Sequence, residues 1–140
     1  MRDGHLNALA YRVVRFAWIR AGIQGVSETV RLPAHLEVSG LIRQVSAVGG
    51  FAAVLTRGEP DAGTILLVLR DSRTNPRLFE RMPHPDGSRP WTLNRTQDNE
   101  NKQEFEDYLT RRSRQDSDLW IIELDVPNPE RFIGDSATAG

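Results

Sequence analysis

At 140 residues, 39% hydrophobic and 26% charged, the chain has the size and composition of one globular domain that can bury a core without metals or disulfides. It has no cysteine, which excludes disulfides, thiolate metal sites and cysteine nucleophiles and suits a reducing, cytoplasmic setting. A net charge of -1 argues against a protein whose main work is coating nucleic acid or an anionic membrane.

The charge is uneven: residues 1–31 carry five arginines against Asp3 and Glu28, a net of +3, leaving -4 for residues 32–140. Lys102 is the only lysine, a bias that a GC-rich coding sequence explains as well as guanidinium chemistry does. Residues 5–23 read as a helix with Leu6, Leu9, Ala10, Val13 and Ala17 on one face. Arg12, Arg15 and Arg20 interrupt it too often for a membrane span or a secretory signal. A docking helix, a basic amphipathic helix for an anionic surface and an N-terminal extension over residues 1–30 with no fold of its own are all open, and the extension is preferred. Residues 22–30 then form a linker.

Residues 34–48 carry the clearest helical pattern, with Val38, Leu41, Ile42, Val45 and Val48 in one stripe, Pro33 at the start and Gly49-Gly50 at the stop. Four strand-length apolar runs follow, separated by loops dense in Gly, Pro, Asp and Asn. FAAVLTR at 51–57 is the first. TILLVL at 64–69 is apolar on both alternating sets, as expected of a central strand covered on both faces. RLFERMP at 77–83 alternates in charge and is expected at an edge. HPDGSRP makes a hairpin loop, and Trp91 and Leu93 return the chain to the core. After the polar run 94–102, residues 103–114 predict a second helix with Phe105, Tyr108, Leu109 and Arg112 on one face, acids near its start and arginines near its end. DLWIIELDV at 118–126 is a strand with Trp120, Ile122, Leu124 and Val126 on one side and Ile121, Glu123 and Asp125 on the other. Phe132 and Ile133 close the core in a short turn, and residues 134–140 form a small-residue tail expected to be disordered.

The expected fold is a single α+β domain over residues 31–133 in the order α-β-β-β-β-α-β, preceded by the extra N-terminal helix. Its sheet is mainly antiparallel, or mixed if the last strand pairs parallel to an earlier one. Both principal helices are expected against one apolar face, leaving a wet face of mixed charge. The blocks RLPAHLEVSGLIRQV, GGFAAVLTRGEPDAGTILLVL, RLFERM with DGSRPWT, and DLWIIELDVPNPERFI together resemble the bacterial DUF1491 family, found mainly in alphaproteobacteria. The resemblance spans Arg31 to Ile133. It implies a compact α/β domain with no assigned activity, carries no catalytic residues across, and leaves residues 1–30 outside the shared domain, as a misplaced start codon would.

Candidate chemistry is sparse. Of the three histidines, His5 lies in the extension, His35 in the first turn of a helix, and His84 beside Asp86 and Ser88. That trio has a triad's composition but, within one short loop, lacks its three directions of approach. Glu123 and Asp125 project from one face of a strand, with Asp98, Glu100, Asp116 and Asp118 in nearby loops. No metal site is expected, since the sequence lacks the Asp followed by Glu-x-Lys pattern of magnesium nucleases. No cofactor is expected either, because Gly49-Gly50 precedes a strand, whereas phosphate cradles open a helix. Arg57, Arg77, Phe79, Arg81, Arg89 and Trp91 would make a stacking surface for single-stranded nucleic acid if exposed together, but Glu59, Asp61, Asp71, Glu80 and Asp86 nearly cancel its field. A non-enzymatic protein-interaction or accessory module is therefore preferred. Self-association through a sheet edge at 77–82 is one form of it; a nucleic-acid binder and a hydrolase are the alternatives.

Overall fold

The computed structural model describes residues 32–134. The expected helix at 5–23, the linker after it and the tail from 135 onward lie outside them. The elements run α1 (Ala34–Ala47), β1 (Phe51–Thr56), β2 (Ile65–Asp71), β3 (Thr74–Arg81), β4 (Trp91–Thr96), α2 (Lys102–Gln115), β5 (Trp120–Asp125) and a 3-10 turn at Pro129–Phe132. They form an α+β domain in the expected order. The five strands make one mixed sheet, arranged β1-β5-β2-β3-β4.

The last strand enters the middle of the sheet. β5 pairs antiparallel with β1, from Phe51↔Asp125 to Thr56↔Ile121, and parallel with β2, from Ile65↔Trp120 to Arg70↔Asp125. The remaining ladders, β2 with β3 and β3 with β4, are antiparallel. β3 is therefore an inner strand, which corrects the edge expected at 77–82. Among the described strands the two edges are β1 and β4. β3 also begins earlier than its apolar run, at Thr74. Pro76 is accommodated where the β2–β3 register slips between Leu69↔Arg77 and Asp71↔Thr74, a break that spares the ladder the missing N–H.

The helices lie on opposite faces of the sheet, not together on one. On the first face Val38, Leu41 and Val45 of α1 meet Leu67, Leu69, Phe79, Trp120, Ile122 and Leu124, with Val126 and Ile133 closing the end. On the second, Phe105 and Leu109 of α2 meet Leu66, Val68, Leu78, Leu119 and Ile121. This is why TILLVL is apolar on both alternating sets: all five residues from Ile65 to Leu69 are buried, odd positions towards α1 and even positions towards α2. No helix among the described residues is long and apolar enough to cross a membrane.

Residues 57–63 tie the first face together. The carbonyls of Pro60 and Asp61 accept the first amides of α1, from His35 (2.8 Å) and Ala34 (3.0 Å), doing the work of an N-cap where Pro33 offers no side chain. The Glu59 carbonyl accepts the indole N–H of Trp120 at 2.7 Å.

Candidate functional site

The arginine and aromatic residues of β3 and β4 come together on the α1 side, but as structural clips. Phe79 is 1% exposed and Trp91 6%, so neither ring offers a face to a base. Arg77 lies over Phe79 and pairs with Glu130; Arg81 lies 4.4 Å over Trp91 and forms a two-pronged pair with Glu37 of α1. These guanidiniums seal the rim between helix and sheet, with their charge met by carboxylates from the covering layer. Arg57 is exposed at the end of β1, 5.8 Å over the Trp120 ring. Arg89 lies in the loop before β4 and is also engaged.

A second polar cluster, not singled out from sequence, closes the α2 side. Arg112 donates to both oxygens of Glu80 (2.7 and 3.2 Å) and to the Tyr108 hydroxyl (2.8 Å). Asn94 is the extra residue where the β3–β4 register slips between Leu78↔Arg95 and Phe79↔Leu93. Its amide donates to Glu80 at 3.0 Å and to Tyr108 at 3.2 Å, an instance of a bulge re-aiming a side chain. Arg95 stacks on the Tyr108 ring at 3.4 Å. The Arg112 hydrogen bonds hold the Glu80 carboxyl below its usual range, outweighing its partial burial, and raise the guanidinium above its own. The position of Arg112 on the apolar stripe of α2 was the visible signal, because a cation there needs an acid from the sheet.

The loop His84–Ser88 is closed on itself. The Ser88 backbone N–H and hydroxyl both donate to Asp86, at 2.9 and 2.6 Å, and the His84 N–H donates to the Ser88 carbonyl at 2.9 Å. The serine proton thus points at the aspartate, opposite to what a triad requires, and the Ser88 hydroxyl is the main reason that the Asp86 carboxyl is held below its usual range. His35 serves through its backbone N–H at the start of α1. Of the paired acids on β5, Glu123 is met by Arg70 at 2.9 Å, while Asp125 is exposed beside Phe51. Among the described residues no three His, Cys, Asp or Glu side chains gather as a metal site.

Exposed large apolar side chains among the described residues include Leu36, Val48, Met82 and Leu93, and three on the β1 edge. Phe51 is 66%, Leu55 49% and Val54 43% exposed, and residues 51–56 carry no charge. The other edge, β4, carries Arg95 and Asn94, both committed to the α2 cluster.

This sheet and its two flanking helices can be set against known proteins. The family model described as "Protein of unknown function (DUF1491)" matches residues 32–134. The chain belongs to the DUF1491 family. It is similar to a DUF1491 family protein from Caulobacter crescentus known from a crystal structure, at 29% identity and TM-score 0.66, over 75% of this chain and 97% of that one. An NMR structure of a DUF1491 family protein from the same organism matches at 27% identity and TM-score 0.62, over 76% and 96%. The solution structure of a protein from A. tumefaciens matches at 31% identity and TM-score 0.61, over 74% and 93%. No curated protein matches the chain.

Proposed function

We propose that this DUF1491 protein is a non-enzymatic interaction or accessory module of the cytoplasm that engages a protein partner through the β1 edge. One observation carries the proposal: Phe51, Val54 and Leu55 stand exposed on an uncharged edge strand. The free N–H and C=O groups of such an edge invite another strand where no charge, proline or cover blunts it, and the register slip between Val54 and Thr56 leaves Phe51 to Val54 as the regular stretch. Support also comes from the polar residues that would serve a catalytic or nucleic-acid reading. Glu80, Glu123, Arg77, Arg81 and Arg112 are paired within the fold, and Asp86 holds Ser88.

Capture from lysate by the tagged full chain, with and without nuclease, tests the proposal. A partner that survives digestion and is lost with Phe51→Glu is the expected result. Partners that vanish with nuclease, or that bind Phe51→Glu equally well, would overturn it.

A further inference from the structure

We infer that residues 5–23, which lie outside the described residues, dock as an amphipathic helix antiparallel to α1, on the side of α1 turned away from the sheet. The two helices of the domain differ on that side. Opposite the inward stripe of α1 stand Leu36, Gly40, Arg43 and Ala47, at steps of four, three and four. The same steps on α2 pick out Gln103, Asp107, Thr110 and Arg114, which are polar and all exposed, as a solvated face should be. On α1, Leu36, Gly40 and Ala47 bring no polar side chain to the row. Leu36 is 44% exposed, yet Gly40 is buried and Arg43 half-buried. Glycine has no side chain with which to shield its own backbone, so a buried glycine on an outward face calls for a segment lying over it. The strands β1 and β5 and the 3-10 turn, on which α1 packs, meet its inward stripe instead. This face is distinct from the β1 edge and needs no partner there.

Connection, length, side-chain size and charge name the occupant. Only residues 24–32 separate Ile23 from Pro33 at the start of α1. Fully extended they reach about 30 Å, ample for a helix whose axis lies about 8–10 Å from that of α1, and a short connection favours an antiparallel neighbour. As a helix, residues 5–23 are about 28 Å long, enough to cover the 14 residues of α1 at about 21 Å. Their apolar face is Leu6, Leu9, Ala10, Val13 and Ala17. With Ile23 beside Ala34, the antiparallel direction sets Ala17 against Gly40 and Ala10 against Ala47. Small residues then meet small residues, and the two backbones can approach closely. The net +3 of residues 1–31 meets a net -4 over residues 32–140. Arg2 and His5 arrive at the C-terminus of α1, whose last turn has no basic residue, and where the helix dipole favours a cation. Arg20 arrives near the exposed Asp61, whose carbonyl accepts the first amide of α1.

Limited trypsin digestion of the purified full chain, followed by mass spectrometry, tests the docking. Cleavage after Arg12, Arg15 and Arg20 is expected to be at least about tenfold slower than in the isolated peptide 1–31, because a docked helix is cut only when it opens. Gly40→Gln places a side chain where the helices meet while keeping a good helix former in α1. It should restore fast cleavage, as should Leu36→Glu at its exposed position, whereas Thr110→Glu on α2 should not. Circular dichroism checks that each variant keeps the folded domain. Because the chain has no cysteine, engineered pairs read the direction. In the monomer, Ala10→Cys with Ala47→Cys should oxidise to an internal disulfide, and Ala10→Cys with Thr110→Cys should not. Wild-type cleavage as fast as in the peptide, folded Gly40→Gln and Leu36→Glu variants that stay protected, or a disulfide that fails between positions 10 and 47 or forms equally between 10 and 110 would each overturn docking on α1.

Discussion

Gly58→Ala tests how the 57–63 loop organises the domain. A Cβ at this position would overlap the Asp118 carbonyl oxygen and lie 2.6 Å from the Leu119 carbonyl carbon and 2.7 Å from that of Asp118. All three are backbone atoms at the entrance to β5, so no rotamer change relieves the overlap. The φ of Gly58 is not in the left-handed region, and the expected cost is therefore one of close approach rather than of backbone conformation. Relief requires the loop to move away from β5. That movement endangers four hydrogen bonds: Glu59 N–H to the Asp118 carbonyl (3.0 Å), the Trp120 indole to the Glu59 carbonyl (2.7 Å), and the Ala34 and His35 amides to the carbonyls of Asp61 (3.0 Å) and Pro60 (2.8 Å). At about 0.5–1.5 kcal/mol each, with water partly replacing the exposed ones, the loss is about 2–4 kcal/mol. With an m-value of about 1–3 kcal/mol/M, urea unfolding should show a midpoint lowered by about 1–2 M. Hydrogen exchange should show the amides of Ala34 and His35 losing protection. Gly87→Ala serves as the control: its φ is +87 with no atom within 4 Å of the new methyl, so it costs only about 1–2 kcal/mol of backbone strain. Equal midpoints for G58A and wild type, or unchanged exchange at Ala34 and His35, would refute the role given to the loop.

Two further outcomes follow from the polar clusters. Glu80 is held below its ordinary value of 4.5 mainly by Arg112, so the unfolded chain takes up the proton first. The resulting stabilisation is complete above that ordinary value and disappears as the pH falls through the lower folded one. Glu80→Gln should therefore cost about 1–2 kcal/mol at neutral pH, and its difference from wild type should shrink in urea titrations below about pH 4.5; a difference that persists undiminished to about pH 3 contradicts the pairing with Arg112. His84→Ala should leave thermal stability within about 0.5 kcal/mol of wild type, since the loop is held by the backbone of His84 and not by its ring; a larger drop would show that the imidazole carries the turn.

Much of the site was legible in advance at the level of elements but not of surfaces. Phe105, Tyr108, Leu109 and Arg112 were rightly placed on one face of α2, and that stripe contains two members of the Glu80 cluster. The partners Glu80 and Asn94 come from other strands, 32 and 14 residues away from Arg112 and Tyr108 respectively, and no local pattern connects them. The alternating charges of RLFERMP suggested a wet edge. In the fold Arg77 and Arg81 cap the α1 face and Glu80 the α2 face, each against an opposite charge. Charge alternation alone does not tell a solvated strand from one whose ions are met by covering helices.

What the amino-acid order determined by itself was local. The stripe from Val38 to Val45 makes α1, two-sided apolarity makes β2 an inner strand, and Trp120 to Val126 alternate as a strand must. Each follows from burial acting at the period of one helix or strand. Only the tertiary structure decided that β5 enters between β1 and β2, that the helices take opposite faces, and that β1 is left at an edge with Phe51 and Leu55 uncovered. Those outcomes depend on which distant strands share hydrogen-bond ladders. The side-chain period is the same whichever neighbour a strand acquires.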